Sequence, residues 1–332
     1  MRRHTKIHIG SSQNFYVNQL TIDPTLAGRS HHFKFEGWPI EVCLPEAPPS
    51  GQIGNVIGDE KIWCSHWRSS DRFPLTFEVG ALAVFVNLER TEKVPSGVIG
   101  RPSSSLLTPR QQKTFQRLAD QSERIAVGAF DLWARTLRWK SDGFQSVRPR
   151  ITPGPITSAY LTDHGTKRRF FSGPITVTAT HGTPLTLATW RAIQKALRDS
   201  HAPPIWFDFL SEGQYRIHSG DLPGGIIDLA IATEALLRKV LSIRYTRAAG
   251  SDEFTAIMNQ IPIGRILDRW NQLGFKSGRW KSSTDLKSLK RLFELRNKLM
   301  HRGLDEFSDA ECSQLGKAVR DFVIYTDRHA KG

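Results

Sequence analysis

Cysteine is scarce in this chain. Only Cys43, Cys64 and Cys312 occur among 332 residues, and no two form a CxxC pair. An odd, scattered set argues against a disulfide framework or a zinc knuckle, and it suits a reducing cytoplasm, the expected location. Long apolar runs are missing too. The run from Ala81 to Val86 is far below the roughly 18 residues of a membrane span, so no membrane association is expected. Met1-Arg2-Arg3-His4 leads into Lys6 to Ile9 without an apolar core, and no secretory signal is read there. His31-His32, His66 and His164 lack companions for a ligand set, so no metal and no other cofactor is expected. Gly51-Gln52-Ile53-Gly54, followed by Gly58, lacks the Gly-Lys-Ser/Thr ending of a phosphate loop. There is no internal repeat and no long low-complexity tract.

Acidic residues are in deficit. Lys and Arg number 46 against 32 Asp and Glu, a formal charge of +14. From Leu222 onward the count is 19 against 13, or +6, which leaves +8 for the part before it. A basic balance of this size favours polyanionic partners, RNA first, although solvated basic surface produces the same count. The length suits one large or two ordinary domains, and the apolar and aromatic fractions are those of a folded globular chain.

In chain order, residues 1 to about 100 read as short strands: Lys6 to Ile9, Phe15 to Ile22, His32 to Phe35, Ile40 to Leu44, Lys61 to Trp67, Leu75 to Val79 and Ala81 to Leu88. Pro and Gly clusters separate them, as expected for an antiparallel sheet, sandwich or barrel. Trp63, Trp67 and Phe73 lie among Arg68 and Arg72; core aromatics explain them better than a base-stacking patch. Thr108-Pro109-Arg110-Gln111 carries helix-start chemistry, with a helix predicted to about Trp139 that Gly128 weakens midway. Strand signals return at Ile156 to Leu161 and Arg169 to Thr180. Thr183-Pro184 opens a helix to about Arg198, and another spans Ile205 to Tyr215 with Gly213 interrupting its end.

From Leu222 the pattern is helical. Helices are predicted from Gly225 to about Tyr245, from Glu253 to Leu273 with a kink or break at Pro262, from Ser283 to His301, and after the capping box Ser308-Asp309-Ala310-Glu311. Four helices with short connections predict an up-and-down bundle. The fold class is therefore α+β. A β-rich N-terminal domain, residues 1–182 and a candidate sensor, precedes residues 183–332, a helical lead-in followed by a bundle whose core is about 222–328.

The informative stretch is Leu295-Arg296-Asn297-Lys298-Leu299-Met300-His301-Arg302-Gly303. Leu286, Leu289, Leu292, Phe293, Leu295 and Leu299 recur at spacings of three and four, the stripe of a buried helix face. Arg3 and His8 share the spacing of Arg296 and His301, but no helical stripe surrounds them. Arg296-Asn297 with His301 five positions after the Arg resembles the R-x4-6-H signature of the HEPN superfamily, small helical domains that include metal-independent ribonucleases. Ile231-Ala232-Thr233-Glu234-Ala235-Leu236-Leu237 resembles their first helix. The resemblance covers about Asp221 to Arg328. A β-rich region ahead of such a domain is similar to the bacterial ApeA-like HEPN proteins of phage defence.

What the resemblance implies is a metal-independent endoribonuclease, a defence or toxin-like effector regulated through its N-terminal domain. In it His301 is the acid or base, Arg296 stabilises phosphate charge and Asn297 orients one of them. Glu234 supports Arg296. Lys298 and Arg302 flank the motif and are candidates for RNA phosphate contacts, although solvated charge on a helix is the default for such residues. The residue types suit the task. Imidazole titrates near neutrality, and guanidinium matches phosphate geometry. On an ideal helix a separation of five puts Arg296 and His301 about 140° apart, so family members complete the site by pairing two helices in a homodimer. The plainer reading makes Arg296 an ion-pair partner of Glu234 and His301 a C-terminal helix cap, leaving an inactive HEPN module for dimerisation, RNA capture or a protein partner.

Overall fold

A computed structural model of the chain describes residues 4–46, 65–67, 76–95, 108–141, 149–150, 158–162, 184–249, 260–269, 286–303 and 308–330. The chain forms two compact units, Met1–Ala202 and Pro203–Gly332. The first is a sheet with two packed helices, and the second is a helical bundle, so the class is α+β.

The first unit is built on β1 (His4–Ile22), β2 (Ser30–Phe35), β3 (Trp38–Cys43), β4 (Ser65–Trp67), β5 (Thr76–Pro95), β6 (Pro149–Arg150) and β7 (Ser158–Thr162). The order is β2-β3-β5-β1-β6, with β4 on β5 and β7 on β1, and every pairing is antiparallel. Two expectations change here. Lys6 to Ile9 and Phe15 to Ile22 are one strand of 19 residues, and the two runs from Leu75 to Leu88 are one strand of 20. The polar stretch Gly10 to Asn14 has poor strand propensity. Pairing with β5, and with β7 on the other edge, supplies its backbone bonds regardless. The ribbon absorbs the mismatch in bulges: Tyr16 faces Ala81 while Leu20 faces Val79, so three residues of β1 oppose Gly80. Between β2 and β3 the two turn residues Glu36 and Gly37 have φ of 49° and 83°, the left-handed pair a tight hairpin requires. Arg169 to Thr180 lies outside the described residues.

Helix α1 (Pro109–Lys140) starts on the predicted capping box. Thr108 accepts from the Gln111 N–H, and Gln111 reaches back to the Thr108 N–H at 3.0 Å. Gly128 does not weaken the helix. A Cβ there would stand 2.7 Å from the Phe35 ring, so glycine lets β2 close onto α1. Phe130 stacks on Phe15 at 4.2 Å, and Trp133 is fully buried beneath the sheet.

Helix α2 (Leu187–Arg198) is capped by Thr186, not by Thr183. It belongs to the first unit, which moves the division from residue 182/183 to Ala202/Pro203. The reason is its apolar stripe: Trp190, Ile193 and Leu197 complete the core under the sheet. Leu185, just before it, bridges Ile22 in parallel, and Gln194 takes both backbone groups of His32, at 2.8 and 3.0 Å.

The second unit consists of α3 (Ile205–His218), α4 (Leu222–Ala249), the short α5 (Ile263–Asp268), α6 (Leu286–Arg302) and α7 (Asp309–Ala330). α3 is a member of this bundle rather than a lead-in, and it packs on α4 and α7. It runs straight through Gly213 because α4 passes against that residue. A Cβ on Gly213 would lie 3.0 Å from the Gly225 carbonyl oxygen, and one on Gly225 2.5 Å from the Ile217 side chain. Arg216 locks the α3–α4 turn by ion pairs to Asp221 and Asp228, each at 3.0 Å, which raises its already high pKa, Asp228 contributing most. Pro262 caps α5, and the remainder of the helix expected over Glu253 to Leu273 is outside the described residues apart from 260–269.

Candidate functional site

The motif occupies the last two turns of α6. The first half of that helix is anchored: Leu289, Leu292, Phe293 and Leu295 are buried, Lys290 pairs with Asp268 at 2.6 Å, and Arg291 donates to Glu311 at 2.8 Å. The bond to Glu311 is also the main reason the Arg291 pKa is raised. Gly303, at φ 61°, ends the helix by donating its N–H to the Leu299 carbonyl at 3.1 Å, the left-handed stop expected of glycine.

Glu311 stands in the first turn of α7, and eleven residues of α6 follow its partner Arg291. They rise about 16 Å, so the motif end of α6 extends past the start of α7. Exposure agrees. Asn297, Lys298, Met300, His301 and Gly303 are all exposed, and Arg296 is half-buried. Met300 is the most informative. On the helical wheel it falls between Leu289 and Phe293, both buried, yet it is 58% exposed. The apolar stripe of α6 continues into solvent beside the motif.

Within the motif, Arg296 Nη1 donates to Asn297 Oδ1 at 3.2 Å. Asn297 lies one turn before His301, so it is flanked by both proposed catalytic groups. Arg296 and His301 themselves do not share a face. Among the described residues no hydrogen bond or ion pair engages the His301 ring. Lys298 is exposed beside them. The Arg302 side chain lies outside the described residues, as do Trp63, Phe73, Arg68 and Arg72 and the side chain of Trp67.

Glu234 is the correction. It was expected to support Arg296, but its carboxylate binds Arg238, whose Nη2 approaches to 2.6 Å and whose Nε donates at 2.8 Å. Arg238 also donates to the Ile261 carbonyl at 3.2 Å, which ties α4 to the segment before α5. The spacing of four residues on one helix was visible in the sequence and is the signal that identifies the true partner. Among the described residues Arg296 has no carboxylate within ion-pairing distance.

Cys43 and Cys312 are buried thiols, and burial pushes the Cys312 thiol up to about 11, which keeps it protonated and inert. Among the described residues no group of three or more His, Cys, Asp or Glu side chains converges, and no helix is long and apolar enough to cross a membrane. Compared with family models, with curated proteins and with solved structures, the chain matches none.

Proposed function

We propose that this protein is a metal-independent endoribonuclease of HEPN type, a defence or toxin-like effector controlled through its sheet-bearing unit. The observation that carries the reading is the state of Arg296. The carboxylate that would have made it a structural ion pair is held by Arg238, so its charge is available to a phosphate. Lys298 adds an exposed cation in the same turn.

The step needs only the chain's own groups and the RNA. A base takes the proton of a 2′-hydroxyl, and its oxygen attacks the adjacent phosphorus. The bond from phosphorus to the 5′-oxygen breaks, and that oxygen receives a proton from an acid. The products are a 2′,3′-cyclic phosphate and a 5′-hydroxyl. His301 serves as acid or base, Arg296 neutralises charge building on the phosphate oxygens, and Asn297 holds the guanidinium in place. One protomer supplies these groups on separate faces, so on this reading a second copy of α6, packed over the exposed Met300, completes the site. Homodimerisation through this bundle is part of the proposal.

The test is digestion of RNA by the purified protein in EDTA, with product ends analysed and His301→Ala beside wild type. Cyclic phosphate ends from wild type alone support the reading. Equal cleavage by His301→Ala, or strict dependence on a divalent cation, overturns it. The separation of Arg296 and His301 on different faces of α6 favours a second reading, an inactive module of the same shape that captures RNA or a protein partner. Binding of RNA without cleavage in the same assay distinguishes it.

A further inference from the structure

Outside the motif, a second row of basic side chains lies on the first half of α1, with Asp120 at its edge. Arg110, Lys113 and Arg117 are all exposed, and with Arg124 they fall within about 60° of arc on the helical wheel, a stripe about 21 Å long. Arg124 is neutralised by Glu36 through two bonds, of 3.0 and 3.3 Å. For Arg110, Lys113 and Arg117 no carboxylate lies within ion-pairing distance among the described residues. The nearest acid in sequence, Asp120, accepts from Gln116 at 2.8 Å.

Arg110 and Lys113 stand at the wrong end of the helix for stability. The positive end of the helix dipole is its N-terminus, where Asp and Glu stabilise and Lys and Arg destabilise. The first turn of α1 has no acidic residue, and Arg110 and Lys113 are in its first five positions. Helix α2 of the same unit is the internal contrast. In its exposed stripe Lys195 and Arg198 stand in the last turn, where the dipole favours them, so fold stability accounts for those two. Nothing in the packing of α1 accounts for its stripe. The excess of +8 before Leu222 shows that this part of the chain has a basic surplus of its own, apart from α6.

We propose that the α1 stripe of Arg110, Lys113 and Arg117 binds the phosphodiester backbone of a nucleic-acid strand. The chemistry that fits is a row of anions, read as charge without sequence. Exposed, unpaired cations along one straight helix edge meet it by releasing condensed counterions. The proposal does not rest on Arg296 or His301. It gives the first unit a contact with nucleic acid that holds even if the motif proves inactive.

The experiment measures anisotropy of a short 5′-labelled single-stranded RNA, and of a DNA of the same sequence, against salt. The full chain carries His301→Ala throughout so that substrate is not consumed. Replacing Arg110, Lys113 and Arg117 by Gln should weaken binding at low salt by about tenfold or more. It should also flatten the plot of log K against log salt by about 2, the contribution of three phosphate contacts to a single strand. The matched variant, with Arg191, Lys195 and Arg198 replaced by Gln, removes the same charge and should leave most of that slope. Tm should not fall in the α1 variant, since the dipole argument makes those cations a cost. Equal loss for RNA and DNA assigns the stripe to phosphate alone, and loss for RNA only adds the 2′-hydroxyl to what it reads. Unchanged slopes in the α1 variant, or an equal change in the α2 variant, overturn the proposal, including in favour of a protein partner.

Discussion

On β2, His31 has no exposed surface, its ring stacks on Trp190 at 3.4 Å, and both nitrogens are engaged; at the end of α6, His301 is exposed with neither engaged among the described residues. The Trp133 indole N–H donates to His31 Nδ1 at 2.8 Å. An indole only donates, so Nδ1 carries no proton, and Nε2 donates to the Trp190 carbonyl at 3.0 Å. His31 therefore joins α1, α2 and β2 in one neutral tautomer, and burial holds its pKa down to about 4. The fold consumes every capacity of that imidazole. Among the described residues it uses His301 only as the penultimate residue of a helix that glycine already terminates. The lesson is that packing into the core is enough to perturb the titration of a structural histidine, His31. A shifted pKa marks burial as readily as function. On the proposed reading, the histidine that does chemistry is the one the fold can spare.

The comparison can be broken most sharply by exchanging the two losses. His301→Ala should reduce RNA cleavage by about 10²- to 10⁴-fold while thermal melting stays within about a degree of wild type, because an exposed ring leaves no cavity. Arg296→Ala should behave alike. It strands no buried carboxylate, since Glu234 keeps Arg238. A Tm drop of many degrees in either variant would mean that the motif is structural.

His31→Ala should do the reverse. Removing the ring leaves a cavity against Trp190 and an unpaired Trp133 N–H, at a cost of about 3–5 kcal/mol in denaturant unfolding. Cleavage per folded molecule should be unchanged. If His31→Ala melts like wild type, the stack and both hydrogen bonds contribute little.

A smaller effect comes from pH. The folded state holds His31 near 4 while the unfolded chain titrates it near 6.5, so the folded state favours the neutral ring. That stability is complete above about pH 6.5 and is lost progressively as pH falls toward 4, up to about 3 kcal/mol. His32 and Arg198, the neighbouring charges, act in the same direction. Urea midpoints from pH 7.5 to 4.5 should show the gap between wild type and His31→Phe narrowing as pH falls. A gap independent of pH would show that the imidazole is charged inside the fold.

The smallest expected change is Glu234→Gln. Its partner is Arg238 on the same helix, a part-buried pair in which Gln can still accept, so stability should fall by about 1 kcal/mol and cleavage by no more than about twofold. Loss of cleavage equal to that of Arg296→Ala would return Glu234 to the site.

What the sequence determined by itself is local. The capping box at Thr108 and Gln111, the bond from the Glu311 N–H to Ser308 at 3.2 Å, the stop at Gly303 and the buried stripe of α6 all join residues three to five positions apart. Their geometry is set by the helix itself, so they are legible without a fold. The α+β order and the basic surplus are legible for the same reason, as sums over short windows. Tertiary structure alone decided the rest. Whether Gly10 to Asn14 breaks a strand depends on a partner some 70 residues away, and whether Gly128 or Gly213 weakens a helix depends on Phe35 or α4 lying against it. The assignment of α2 to the sheet and α3 to the bundle depends on which apolar surface each stripe finds. At the site, the sequence placed Arg296, Asn297 and His301 on one helix end. It could not show that Met300 is left uncovered, because burial depends on where the neighbouring helix begins. Between segments distant in sequence, the partner is chosen by the packing of the whole chain, and no local pattern encodes that choice.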